Sequence, residues 1–161
     1  MANQIIIRIP EQRLLLEGHA TATRSFLVST ARNGPGEVEG SECTPRGEHR
    51  IAEKIGADTP LDTVFVARRP TGEIWSPDLA LAHPGRDWIL TRILWLAGAE
   101  PGRNLGGVCD TQRRYIYIHG SPASATMGVP GSRGCVRMHG QDIIELFERV
   151  SVGDRVVIEA E

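Results

Sequence analysis

The chain is predicted to fold as a single mainly-β domain over residues 1–161, with one well-signalled helix late in the sequence. Three observations predict this. A length of 161 residues with 40% hydrophobic content suits one core of useful size. Eighteen glycines and ten prolines punctuate short β-rich runs, a pattern of strands and turns rather than of bundled helices. The sequence carries no internal repeat, linker or low-complexity tract that would divide it.

Residues 4–9, 13–16 and 22–29 read as strands, bounded by the turns Pro10-Glu11-Gln12 and Glu17-Gly18-His19. Asn33-Gly34-Pro35-Gly36 is a strong turn signal, and a polar loop continues to about Thr44. Strands follow at 48–55 and 63–67, and the polar, proline-containing 78–87 is expected to be loop. Residues 88–96 are apolar enough for a buried helix. Their Trp, Ile, Leu and Thr content favours a strand. A strand at 115–119 ends on His119. Ile143, Ile144, Phe147 and Val150 fall at helical spacing, with Asp142 near the start, where a negative charge suits the helix dipole. Gly153-Asp154 then turns the chain into a last strand, 155–159.

Charge excludes one large class of function. The 18 basic and 20 acidic residues are dispersed, and the longest basic runs are the pairs Arg68-Arg69 and Arg113-Arg114. A nucleic-acid footprint wants a basic face, so no nucleic-acid partner is expected. Three cysteines cannot all pair, and spacing alone gives no geometry for joining Cys43 to Cys109, so a reducing compartment is the simpler account. The first ten residues lack a basic lead, a long apolar core and a small-residue cleavage site. No run is long and apolar enough to span a membrane. The expectation is a cytoplasmic protein, or a periplasmic one if export uses another route or the N-terminus is truncated.

The chemistry concentrates near the C-terminal end. Tyr115-Ile116-Tyr117-Ile118-His119-Gly120 delivers a histidine to a strand end, and after a Gly/Ser/Pro-rich loop Ser132-Arg133-Gly134-Cys135-Val136-Arg137-Met138 brings back a thiol. That layout suits a cysteine nucleophile and its base. An imidazolium or a ring of N–H groups would lower the thiol pKa and supply thiolate. Gly134 lets the backbone approach a substrate carbonyl. The N–H groups of Gly134 and Cys135 are candidates to hold an oxyanion. The Gly120 carbonyl and the Ser132 hydroxyl are candidates to fix the His119 tautomer.

Plainer readings exist for each residue. Cys43 and Cys109 read as small buried hydrophobes. Ser132 could simply cap a turn, and Arg133 and Arg137 could be solvated charges. Cys109, His119, Cys135 and His139 could be assembled into a ligand set, but their spacing is loose and includes no Cys-x-x-Cys, so no metal is expected. Phosphate-loop, serine-elbow and zincin motifs do not occur.

The segment from His119-Gly120 to Ser132, Gly134, Cys135, Val136, Arg137 and Met138 resembles the signature of the YkuD-type L,D-transpeptidases. Arg133 stands where that family most often has histidine. The resemblance extends through residues 12–16 and 25–30, Thr44-Pro45-Arg46-Gly47-Glu48-His49-Arg50-Ile51, Met127 to Gly131, and 141–147, roughly residues 4 to 160 in all. It implies a β-sandwich or barrel-like domain with the helix after the catalytic cysteine. It also implies acyl transfer without a cofactor: Cys135 attacks the third residue of a peptidoglycan stem peptide, D-alanine leaves with a proton from His119, and an amine takes the acyl group from the thioester. Gly120, Ser132 and Gly134 would complete the catalytic group, and Arg137 and Arg133 would contact substrate. Carbapenems would acylate Cys135, as they do relatives. The alternative is a cytoplasmic L,D-carboxypeptidase that trims D-alanine from recycled muropeptides with water as acceptor. A catalytically idle binding module would not need the intact His, Gly and Cys.

Overall fold

The computed structural model describes residues 3–18 and 23–161. The first strands, β1 (Gln4–Arg8) and β2 (Arg13–Glu17), form an antiparallel hairpin in which Ile5, Ile7, Leu14 and Leu16 face inward and their neighbours do not. That period-two burial is what a half-buried strand requires. Gln12 at the turn has φ +50, and its buried side chain bonds the Ile9 carbonyl and both the N–H and hydroxyl of Thr30. The next strand, β3, runs Arg24–Leu27. The expected start at Ala22 and the turn residue His19 lie outside the described residues.

The sheet continues with β4 (Gly47–Ile55), the hairpin strands β5 (Thr63–Val66) and β6 (Arg69–Ile74), the short helix α1 (Pro77–Ala82), and β7 (Ile89–Gly98). The segment expected as loop thus contains a helix. Ser76 accepts from the Leu79 N–H as N-cap and Pro77 starts the first turn, a local signal that outweighs the polar composition. The strand β6 carries Pro70 and Gly72 and is almost wholly exposed, which is why no buried pattern announced it. The segment expected at 88–96 folds as strand, as its composition favoured, with Trp88 left outside and the strand running on to Gly98.

The chain ends with β8 (Tyr117–Ser121), β9 (Val136–His139), α2 (Gly140–Arg149) and β10 (Arg155–Glu159). One ten-stranded sheet results, in the order β3-β2-β1-β10-β4-β7-β5-β6, with β8 on β7 and β9 on β8. It curls into a half-barrel. Beyond β3, Ser29 exchanges two 2.9 Å backbone bonds with Arg137 on β9, so the far ends of the sheet meet. Ile5, Leu14, Ile51, Leu94, Leu96, Ile118, Val136 and Met138 fill the interior. The helix α2 buries Ile143, Leu146 and Phe147 against it, as its helical spacing predicted. Gly120 is the contact point between β8 and this helix: a Cβ there would lie 3.1 Å from Ile143 and 2.5 Å from the Leu90 carbonyl oxygen. The only lysine, Lys54, donates to the Val150 carbonyl at 2.7 Å and sits 4.4 Å over the Phe147 ring. Among the described residues no helix is long and apolar enough to cross a membrane.

Candidate active site

The site is built on the parallel β8–β9 pair, in which Ile118 is level with Val136 and His119 with Arg137. Successive side chains in a strand alternate faces. Ile118, Val136 and Met138 therefore point into the core, and Tyr117, His119, Cys135 and Arg137 share the other face. A cleft of about 280 Å³ opens on that face, and all four residues line it. The strand that presents Cys135 is gripped from both sides, by β8 and by the Ser29–Arg32 backbone, which bonds to Ser132 and Arg137.

The cysteine is half-buried and its sulfur is placed between backbone groups. The Tyr117 N–H donates to Sγ at 3.3 Å, and the thiol lies 3.4 Å from the Tyr115 carbonyl, to which it donates. Burial pushes the thiol up to about 12; the Tyr117 N–H opposes the rise, the Asp87 carboxylate adds to it, and Arg137 and Arg114 oppose it. The protonated thiol is thus the resting form at neutral pH, and the ready-made thiolate expected from sequence is not what the fold holds.

His119 is buried, and burial pushes its imidazole below the ordinary range, although the Gly120 carbonyl and Asp87 pull the other way. Its Nδ1 lies 2.7 Å from the Gly120 carbonyl oxygen. A carbonyl only accepts, so Nδ1 carries the proton and Nε2 is left as a base. Among the described residues no hydrogen bond joins His119 to Sγ. Register explains this: Val136 is level with Ile118, so Cys135, one residue earlier, falls beside Tyr117, whose N–H meets the sulfur, rather than beside His119.

Of the two groups expected to orient His119, the Gly120 carbonyl does so and Ser132 does not. The Ser132 hydroxyl instead spans the turn, donating to the Cys135 carbonyl at 2.5 Å and accepting the Gly134 N–H at 3.2 Å. The Gly134 N–H, a candidate oxyanion donor from sequence, is thus directed to the Ser132 hydroxyl. Its φ of +133 is what the position demands, and a Cβ would sit 3.2 Å from Ile116 and 3.3 Å from the Cys43 carbonyl oxygen. The Cys135 N–H has no partner among the described residues and is the free donor of the pair. Arg137 binds the Asp87 carboxylate at 2.9 Å and the Gly131 carbonyl at 3.1 Å, and Arg133 is exposed at the cleft rim.

Several residues in or behind the cleft were given no role from sequence. Asp87, at the end of a segment read as loop, becomes the partner of Arg137 through the fold alone. Arg114 reaches across to the Gly36 and Cys43 carbonyls at 3.3 and 2.7 Å. Thr44 accepts the Ala31 N–H and donates to the Gly134 carbonyl, both at 2.9 Å, fixing the cysteine loop. Tyr115 adopts φ +56 to turn its carbonyl toward the sulfur, and although expected to open the strand at 115–119 it lies outside β8, which starts at Tyr117. Cys43, Cys109 and Cys135 are all free thiols.

Comparison with known proteins shows the family. Residues 2–158 match the family described as YkuD, L,D-transpeptidase catalytic domain. The chain is 44% identical over 116 residues to YkuD of Bacillus subtilis, covering 68% of this chain and 65% of that protein. It is 35% identical over 104 residues to YbiS of Escherichia coli K12, covering 64% of this chain and 34% of that protein. Both relatives carry an L,D-transpeptidase name. The chain therefore spans a third to about two thirds of the length of these relatives, from 34% to 65%. The structure of L,D-transpeptidase 3 from Mycobacterium tuberculosis with a faropenem-derived adduct aligns with a TM-score of 0.58 at 14% identity. That alignment covers 98% of this chain and 60% of the mycobacterial one, and at such identity the likeness is one of fold.

Proposed function

The chain belongs to the YkuD family of L,D-transpeptidase catalytic domains, and from that premise we propose that it transfers acyl groups through a thioester on Cys135. The donor is a tetrapeptide stem of peptidoglycan. The observation that carries the reading is the shared face of β8 and β9, where Cys135 and a neutral, oriented His119 line one cleft.

Both groups rest uncharged, so ionisation accompanies attack. As the sulfur turns from the Tyr115 carbonyl toward the bound substrate, its proton passes to His119 Nε2 and the S–C bond forms at the third-residue carbonyl. The Asp87 carboxylate and the Gly120 carbonyl favour the imidazolium so formed. The Cys135 N–H is free to donate to the developing oxyanion, an interaction typically worth about 3 kcal/mol. When the C–N bond breaks, D-alanine leaves as the amine with the proton returned by His119. An acceptor amine then attacks the thioester, loses its proton to His119 and restores the thiol.

The test is incubation with disaccharide-tetrapeptide, with and without an acceptor amine, read by mass spectrometry. Crosslinked dimers that require Cys135 are expected. Tripeptide alone would mean that water is the acceptor and the activity is L,D-carboxypeptidation. Unchanged tetrapeptide, together with no mass increase on exposure to a carbapenem or penem, would overturn the proposal.

A further inference from the structure

The cleft is lined by four arginines, and three of them are unlike the fourth. Arg114 is spent on the Gly36 and Cys43 carbonyls, Arg137 on Asp87 and the Gly131 carbonyl, and Arg133 is exposed at the rim. Arg68 is stacked on two rings and yet has donors to spare. Its guanidinium sits 4.9 Å from the centre of the Trp95 ring and 4.8 Å from that of Tyr115, and it donates to the Tyr117 hydroxyl at 3.0 Å. The two rings stand 6.0 Å apart, so the cation is held by a ready-made aromatic frame. Among the described residues its other N–H groups have no acceptor. Glu53 is the acid whose field reaches it, and no salt bridge joins them.

The backbone is committed to this placement. Val66 pairs with Arg69, leaving Ala67 and Arg68 as the two-residue turn of the β5–β6 hairpin, at φ +50 and +65. Such turns need left-handed backbone at both positions and usually recruit Asn or Gly. Here a bulky residue takes the strained position, and its side chain ends at the cleft that holds Cys135 and His119. The Arg68-Arg69 pair, without meaning as part of a basic face, gains one here.

A stacked, planar, permanently charged fork with unfilled donors is the group that recognises a carboxylate bidentately. We propose that Arg68 is the specificity-determining residue that selects acyl donors whose residue attacked by Cys135 carries a side-chain carboxylate. This rests on the acyl-transfer reading and names the chemical feature of the donor that the site selects. Arg68 takes no part in bond making. It holds one flank of the donor while the cysteine and histidine act on the carbonyl of that same residue.

The test compares two tetrapeptide donors identical except that one side-chain carboxylate is free or amidated, on wild type, Arg68→Gln and Arg68→Lys. Wild type should prefer the acid by about 10- to 100-fold in kcat/KM, the range expected of hydrogen bonds to a charged group. Arg68→Gln should raise KM for the acid and leave the amide nearly unchanged, erasing the preference. Arg68→Lys, which keeps the charge and loses the stacked fork, should fall between. Equal losses for both donors would mean that Arg68 only props up Tyr115 and Tyr117, and would overturn the inference, as would a preference that survives Arg68→Gln. Penem adducts on intact protein separate the two levels: a chain that takes up penem but ignores the carboxylate sinks this inference alone. A wild-type chain that takes up no penem and cleaves neither donor sinks the acyl-transfer reading as well.

Discussion

At the scale of single residues, the resting chemistry turns on where two protons sit. The Cys135 thiol is pushed up to about 12 by burial, whereas a free thiol ionises near about pH 8.5. The unfolded chain therefore loses this proton first. The stability this residue contributes is full below about pH 8.5 and is lost as pH rises toward 12. Without substrate, alkylation of Cys135 by iodoacetamide should be at least about tenfold slower at pH 7.5 than that of an unfolded control, and should still be climbing above pH 9. A plateau below pH 8 would mean that the thiolate is already present. His119 and Cys135 were legible because strand, glycine loop and thiol follow one another in the chain. The state of their protons was not, since it depends on Asp87, Tyr115 and Tyr117, which reach the sulfur only in three dimensions. For the same reason the bond between the Gly134 N–H and the Ser132 hydroxyl was not legible. Which N–H is already occupied is a property of the turn, not of the residue types.

At the scale of elements, the site depends on β8 lying flat between β7 and α2. Gly120 makes that possible. An added Cβ would meet the Leu90 carbonyl oxygen at 2.5 Å, a backbone atom that cannot rotate away, as well as Ile143 and Thr91 at 3.1 Å. Gly120→Ala should therefore destabilise the protein by about 1–3 kcal/mol in chemical denaturation. It should also lower activity, because the carbonyl that orients His119 belongs to the same residue. Denaturation unchanged within error would show that β7 can yield. The buried strands and α2 were readable from their periodicity. The exposed hairpin strand β6 and the brief helix α1 were not, because neither buries a regular stripe. The strand β9 was hidden in the motif itself: four residues long, it is recognisable as a strand only once β8 is there to pair with it.

At the scale of the whole molecule, the half-barrel explains why distant parts of the sequence matter to one sulfur. The Ser29–Arg137 pairing that joins the sheet's ends also clamps the segment bearing Cys135, and Thr44 ties that segment to a third part of the chain. The mainly-β class followed from composition. The closure did not, because it is set by partners more than one hundred residues apart, as Ser29 and Arg137 are. One further property belongs to this scale. With 17 arginines and a single lysine, the folded chain offers amine-directed reagents one side-chain target, and that target is fastened to the end of α2. Acetylation of Lys54 should therefore be slow in the native protein and should accelerate with any variant or ligand that loosens the helix from the sheet. One mass-resolved label then becomes a built-in gauge of how tightly the half-barrel holds its helix.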